Sequence, residues 1–175
     1  ARGGSKRLKN KNKKNLLGKP LIEYTINFAK KIKVTPYILV STNDKDIIEI
    51  ALKKKVLAPW LRPSHLSKDN STSYSFMLHA IKWFEKTFGN LDYVILFQPT
   101  TPYRGISTIK KMINIFKKRK NSVAAFTAIL KEDKKVFYIK NKEKIFFKKK
   151  VGIKSNILGS IYINSVKNLM KYKSF

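Results

Sequence analysis

Apolar positions in this chain alternate between helical spacing and short unbroken runs. Leu21, Thr25, Phe28 and Ile32 fall at i, i+4, i+7 and i+11, which predicts one face of a helix. The run Pro36-Tyr37-Ile38-Leu39-Val40-Ser41 predicts a buried parallel strand. Thr42-Asn43-Asp44 then supplies cap residues for a helix carrying Ile47, Ile48, Ala51 and Leu52. A brief Val56-Leu57-Ala58 segment leads into a polar loop over 62–73. Met77, Ile81, Phe84 and Phe88 share the next helical face, which places His79 on the solvent side, and Gly89-Asn90 stops that helix. Residues 91–97 read as a central strand ending in Gln98-Pro99-Thr100-Thr101-Pro102. Ile106, Ile109, Met112, Ile113 and Phe116 make another amphipathic helix, and 122–129 is again strand-like.

This alternation predicts an α/β fold built on a mostly parallel sheet with helices on both faces. Ligands in such sheets bind beyond the carboxyl ends of the strands, here the loops 41–44 and 98–104. After about Lys131 the pattern changes. Residues 136–139 and 144–147 predict a β-hairpin, Ile161-Tyr162-Ile163 a further strand, and 166–170 a short helix. The chain therefore reads as one domain in three parts: an α/β core over 1–130, a hairpin region over 131–160, and a strand and helix over 161–175 returning to the core.

Composition changes this picture only in part. The 175 residues include 11 Phe and 8 Tyr in a 43% hydrophobic chain, enough for a globular core. No apolar run approaches the ~18 residues of a membrane span, and no signal peptide is visible, so a cytoplasmic protein is the simplest reading. Cysteine is absent, which excludes disulfides, thiolate metal sites and thiol nucleophiles. The formal charge of +29 suggests nucleic acid, but the excess is nearly all Lys, scattered over every segment. Arg occurs only at positions 2, 7, 62, 104 and 119, whereas nucleic-acid surfaces favour the arginine fork. A solvated basic surface that favours anionic substrates fits better.

The candidate chemistry lies at the start. Ala1-Arg2-Gly3-Gly4-Ser5-Lys6 combines glycines that let a ligand approach the backbone with a guanidinium fork, a hydroxyl and a point charge. With Lys11 it makes a phosphate cradle ahead of an amphipathic helix, the alternative being a solvated basic terminus. Asp44 and Asp46 read as a helix cap and a first-turn dipole partner. Asp69 is open between a turn residue and a nucleotide contact, and Tyr162 between core and ligand contact. His65 and His79 lack the partners of a metal site, and no metal ligand is assigned.

Taken in order, the opening segment, Lys11-Asn12, Gly18-Lys19-Pro20-Leu21-Ile22, Val40-Ser41-Thr42, Leu61-Arg62-Pro63, Leu66-Ser67-Lys68-Asp69 and Gln98-Pro99-Thr100-Thr101-Pro102 resemble the acylneuraminate cytidylyltransferases. The resemblance implies a Rossmann-like nucleotidyltransferase sheet, usually dimerised through the later hairpin. It also implies an enzyme that transfers CMP from CTP to an acidic keto sugar, with release of pyrophosphate and use of Mg²⁺. Arg2, Gly3, Ser5, Lys6, Lys11, Asn12, Arg62 and Ser73 would hold the nucleotide, with Arg2 and Lys11 stabilising the transition-state charge. Gln98, Thr100 and Tyr162 would face the sugar. The Mg²⁺ ligands are expected in an Asp-x-Asp beyond Phe175, and further chain is expected at both ends. Arg7 and Lys9 depart from the sialic acid pattern, and Arg2 to Leu8 also resembles the 3-deoxy-manno-octulosonate or the pseudaminate enzymes; the Gln98-Pro99-Thr100 turn argues against the octulosonate group. Leu158 stands where the family has an Asn facing the sugar, which leaves a non-catalytic relative as a further alternative.

Overall fold

The helical periodicities form helices in a computed structural model of the chain, which describes residues 1–4, 8–118, 124–129, 134–140, 143–145 and 156–173, with the backbone alone at 124–129, 134–140, 143–145 and 156–160. The chain divides into two compact units, Ala1–Trp83 with Gln98–Arg104, and Phe84–Phe97 with Gly105–Phe175. Among the described residues, no helix is long and apolar enough to cross a membrane.

In the first unit a 3₁₀ turn, Lys11–Lys13, leads to a two-residue hairpin of β1 (Asn15–Leu16) and β2 (Lys19–Pro20). Leu17 and Gly18 both adopt positive φ, 47° and 85°, as such a tight hairpin turn requires. Helix α1 (Leu21–Ile32) follows directly, and α2 (Lys45–Lys53) packs against it. Ile22 and Ile26 of α1 meet Ile47 and Ala51 of α2 around Val40, Val56 and Ala58. Removing side-chain volume from Ile47, which is fully buried, would cost about 2–4 kcal/mol as Ile47→Ala. The α1 face is wider than its apolar spacing predicts, since Ile22, Ile26 and Ala29 join Thr25, Phe28 and Ile32. On α2, Leu52 is exposed instead of buried, because this short helix buries only Ile47 and Ala51, one turn apart.

The run 36–41 pairs in parallel with the segment after α2, through isolated bridges Leu39–Leu57 and Thr42–Leu61. Val40 N donates to Leu57 O at 2.7 Å, Leu57 N to Ile38 O at 2.9 Å and Arg62 N to Thr42 O at 2.6 Å. Helix α3 (Ser73–Phe88) begins in this unit and is stopped by Gly89 at φ 90°.

The second unit is a five-stranded sheet of β3 (Tyr93–Phe97), β4 (Ala124–Ile129), β5 (Lys134–Lys140), β6 (Glu143–Ile145) and β7 (Asn156–Ser165), in the order β3-β7-β4-β5-β6. The predicted hairpin is present as β5–β6, with Tyr138 opposite Ile145. Helix α4 (Ile106–Lys118) lies against β4 and β7, and α5 (Val166–Tyr172) against β7. Ile109, Met112 and Ile113 of α4, Ile161 and Ile163 of β7, and Val166 and Leu169 of α5 are buried. The expected mostly parallel sheet is not what these ladders form: every described ladder is antiparallel. The physical reason is β7. It pairs antiparallel with both β3 and β4, so these two run in the same direction but are separated by a strand of opposite direction.

Candidate active site

The opening loop is laid along the end of the 38–42 segment. Ala1 N donates to Ser41 O at 3.0 Å, and Gly3 N donates to the Asn43 Oδ1 at 2.9 Å. A Cβ on Gly3 would lie 3.0 Å from Asp44 Oδ2, so this close approach needs glycine. Asn12, buried in the 3₁₀ turn, donates from Nδ2 to Arg2 O at 2.9 Å and ties the turn to the loop. Its Oδ1 is buried and has no hydrogen-bond partner among the described residues. Lys11 opens the same turn, behind Asn10 in the left-handed region at φ 57°. Ser5 and Lys6 lie outside the described residues.

Of the two carboxylates beside the loop, Asp44 is the cap and Asp46 lies in the first turn of α2, as predicted. Asp44 accepts from Asp46 N at 3.0 Å and caps α2. Both side chains also bind Lys13, with Nζ 3.1 Å from Asp44 Oδ2. Hydrogen bonds to Asp46 and then Asp44 raise the Lys13 pKa. Asp69 pairs with the opening loop, its Oδ1 2.8 Å from Arg2 Nη1, which also donates to Lys68 O at 3.2 Å.

Arg62 sits at the centre of this group and is only 6% exposed. Its Nε donates to Ser41 Oγ at 3.0 Å, and its Nη2 donates to Ala1 O at 3.2 Å and to Ser41 O. Its cationic face lies 4.4 Å from the centroid of the Phe76 ring. Burial pulls its pKa down to about 10, and the like charge of Arg2 adds to the fall. A buried guanidinium held beside a second positive charge marks a field suited to an anion. Ser73 is the first residue of α3, one turn before Phe76.

The loop at 98–104 is a second element of the same unit. Gln98 O accepts from Thr101 N at 3.3 Å and from Arg104 Nη2, while Thr100 is exposed. Arg104 Nη1 donates to the buried Thr25 Oγ1 at 3.1 Å, and its guanidinium lies 5.7 Å from the Phe28 ring centroid. Tyr103 meets Tyr24 edge-on with ring centroids 5.8 Å apart. Tyr162 belongs to the second unit, where it is half-buried on β7 opposite Leu96, and burial raises its pKa.

The first unit thus brings together Arg2, Gly3, Asn12 and Arg62. Sequence reasoning passed over Lys13, Ser41, Asn43 and Phe76 as partners, and gave no role to Arg104. The signal for Arg104 was its rarity: the chain uses Lys wherever a point charge suffices. The expectation that His79 faces solvent is corrected. It is half-buried with its ring 4.9 Å from Trp60, because Trp60 and Trp83 pack as a second apolar wall on that side of α3.

The cytidylyltransferase family model matches residues 1–158. Over its whole length the chain is 33% identical to the CMP-N,N'-diacetyllegionaminic acid synthase of Legionella pneumophila, covering 79% of that protein. Over 66% of its length it is 35% identical to a pseudaminic acid cytidylyltransferase of Campylobacter jejuni, of which it spans half. The solved structure of a CMP:2-keto-3-deoxy-manno-octonic acid synthetase complexed with CTP matches 99% of the chain and 74% of its own, with a TM-score of 0.67 at 15% identity. The 4-diphosphocytidyl-2C-methyl-D-erythritol synthase of Anaerococcus prevotii matches 93% and 71%, with a TM-score of 0.63 at 19% identity. The fold is therefore the α/β nucleotidyltransferase fold, and the chain belongs to the cytidylyltransferase family.

Proposed function

We propose that this protein transfers CMP from CTP to an acidic keto sugar of the nonulosonate type, releasing pyrophosphate, in the biosynthesis of a cell-surface glycan. The observation that carries this reading is the convergence of Arg2 and Arg62 around a loop whose Gly3 is pressed against Asp44. The similarity to legionaminic and pseudaminic acid enzymes supports the sugar class.

In this reading the anomeric hydroxyl of the sugar attacks the α-phosphorus in line, and pyrophosphate leaves. Negative charge grows on phosphoryl oxygens, so positioned cations do most of the work. Arg2 and Lys11 stabilise that charge, with Gly3, Ser5 and Lys6 along the phosphates. Arg62 and Ser73 hold the nucleoside. The buried Asn12 Oδ1, without a partner among the described residues, is an acceptor for a nucleotide hydroxyl. Gln98, Thr100 and Tyr162 face the sugar.

Mg²⁺ is the metal this chemistry calls for, but the described residues do not fit it. They hold no group of three His, Cys, Asp or Glu side chains, and the acidic groups near the loop are occupied by Lys13 and Arg2. No step is therefore routed through a metal. The core over 1–130, the hairpin region over 131–160 as the surface of a homodimer, the returning segment over 161–175, a cytoplasmic location and no nucleic-acid partner complete the proposal. The parallel bridges beside Val40 support a parallel part of the sheet near the nucleotide.

Pyrophosphate release with CTP, Mg²⁺ and a panel of sialic, legionaminic, pseudaminic and octulosonic acids tests the reading. Release with a nonulosonic acid is expected. Release with octulosonic acid alone would reassign the sugar, and none with any acid would refute the proposal.

A further inference from the structure

Gln98 and Thr100 can select a sugar only if their loop holds one shape, and a loop with two prolines and two threonines has no regular ladder to hold it. What closes this loop is Arg104. Its Nη2 reaches back to the Gln98 carbonyl, which also accepts from Thr101 N at 3.3 Å. Two donors on one carbonyl fix the plane of the Gln98–Pro99 peptide and with it the backbone from which the Gln98 side chain projects. The same guanidinium anchors the loop to α1, through Thr25 Oγ1 at 3.1 Å and the face of Phe28. Tyr103, packed edge-on against Tyr24, adds a second anchor next to the first. Thr25 is 7% exposed and Phe28 9% exposed, so these anchors belong to the core side of α1.

A planar fork is required here. A lysine ammonium carries three donors on one atom, but it has no flat fork to span a hydroxyl and a carbonyl while lying over an aromatic face. The chain carries mostly Lys among its 39 basic residues, yet keeps Arg at this position. The burial of the group, which draws its pKa down to about 10, is a cost that neutral acceptors only partly offset. That cost is understandable if the loop must be rigid.

We infer that Arg104 is a positioning residue for acidic-sugar recognition, acting through the Gln98 carbonyl to set the loop that presents Gln98 and Thr100. The inference rests on the proposed function for the identity of the sugar, but its structural half does not. Steady-state kinetics on the full chain should therefore be run with Arg104→Lys, Arg104→Ala and Thr25→Val, beside hydrogen exchange at the Thr101 amide.

Arg104→Lys and Arg104→Ala should raise KM for the sugar at least tenfold and leave KM for CTP within twofold. Thr101 exchange should accelerate at least tenfold while α1 amides stay unchanged. Thr25→Val, which removes one acceptor and keeps the core apolar, should give a several-fold change in the same two readouts, and it serves if the Arg104 variants fail to fold. Rescue by lysine, parallel changes in both KM values, or unaltered Thr101 exchange would overturn the inference. If the wild-type chain turns over no acidic sugar, the functional reading fails separately. Faster Thr101 exchange in the variants would then still establish Arg104 as the clasp of this loop.

Discussion

The opening loop and the Arg62 seat hold cations in opposite ways. Arg2 and Lys13 lie at the surface and are met by carboxylates, Asp69 for the first and Asp44 with Asp46 for the second. Arg62 is buried and is met by a hydroxyl, two carbonyls and an aromatic face. An exposed ion pair is worth about 0–1 kcal/mol and exchanges readily for another anion. A buried guanidinium with neutral partners is fixed in place, and none of those partners cancels its charge. The first arrangement suits a group that must release one anion to take another. The second suits a permanent wall of the site.

The largest expected effect would come from breaking the wall. Arg62→Ala takes the guanidinium donor from Ala1 O and Ser41 Oγ, leaves Ser41 O with Ala1 N alone, and leaves Phe76 without its cation. The loss should be about 2–3 kcal/mol, or roughly 5–10 °C in Tm for a chain of this size. Arg62→Lys should recover little of it, because one ammonium cannot reproduce the fork. A melt within about 2 °C of wild type would show that the seat is not structural.

Removing the exposed cation should do the reverse. Arg2→Ala is expected to change Tm by about 2 °C or less, yet to weaken CTP binding tenfold or more in calorimetry, since it removes a charge-assisted phosphate contact. Equal losses of stability in the two arginine variants would erase the distinction between wall and exchangeable group.

Asp69 sharpens the same comparison at smaller scale. Where the Arg2–Asp69 pair competes with phosphate, Asp69→Asn should raise CTP affinity by about two- to fivefold at low salt, fading toward ~0.5 M as screening takes over. Weaker binding would mean instead that Asp69 orients Arg2 for the nucleotide.

The difference between the two regions was partly legible in the sequence. Helical period located α1 to α4, and cap chemistry identified Asp44 as the start of α2. Arg2, Gly3, Asn12 and Arg62 were readable from motif order, because each supplies a fork, a close approach or an amide that phosphate and nucleoside chemistry requires. Their partners were not readable. Ser41 and Asn43 contribute through a backbone carbonyl and a side-chain amide that gain meaning only once residues about 40 positions apart meet. The antiparallel ladders were unreadable for a similar reason: nothing local in 156–165 announces that β7 enters between β3 and β4 in the opposite direction. Arginine rarity was the unused clue. Of the described arginines, Arg62 and Arg104 each reach separate acceptors through two nitrogens, and Arg2 meets Asp69 and the Lys68 carbonyl through one.

Lys13 gives the smallest effect and the sharpest sign. Hydrogen bonds to Asp46 and Asp44 raise its pKa above 10.5, so its protonated form is favoured by folding. The stabilisation from this pair is then fully present below the ordinary lysine value of 10.5, and it is lost only as pH rises through the higher folded value. Lys13→Met should lower Tm by about 2 °C or less. That gap should stay constant from about pH 7 to 9.5 and close only above 10.5. The same substitution strips the counter-charge from Asp44, whose Oδ2 lies against Gly3 in the phosphate loop. CTP affinity should therefore fall by about two- to threefold, opposite in sign to Asp69→Asn, because one variant removes a cation and the other an anion beside the same anionic ligand. If both variants moved CTP affinity in the same direction, net charge would not govern this end of the site. The carboxylates would then act by fixing the geometry of the loop.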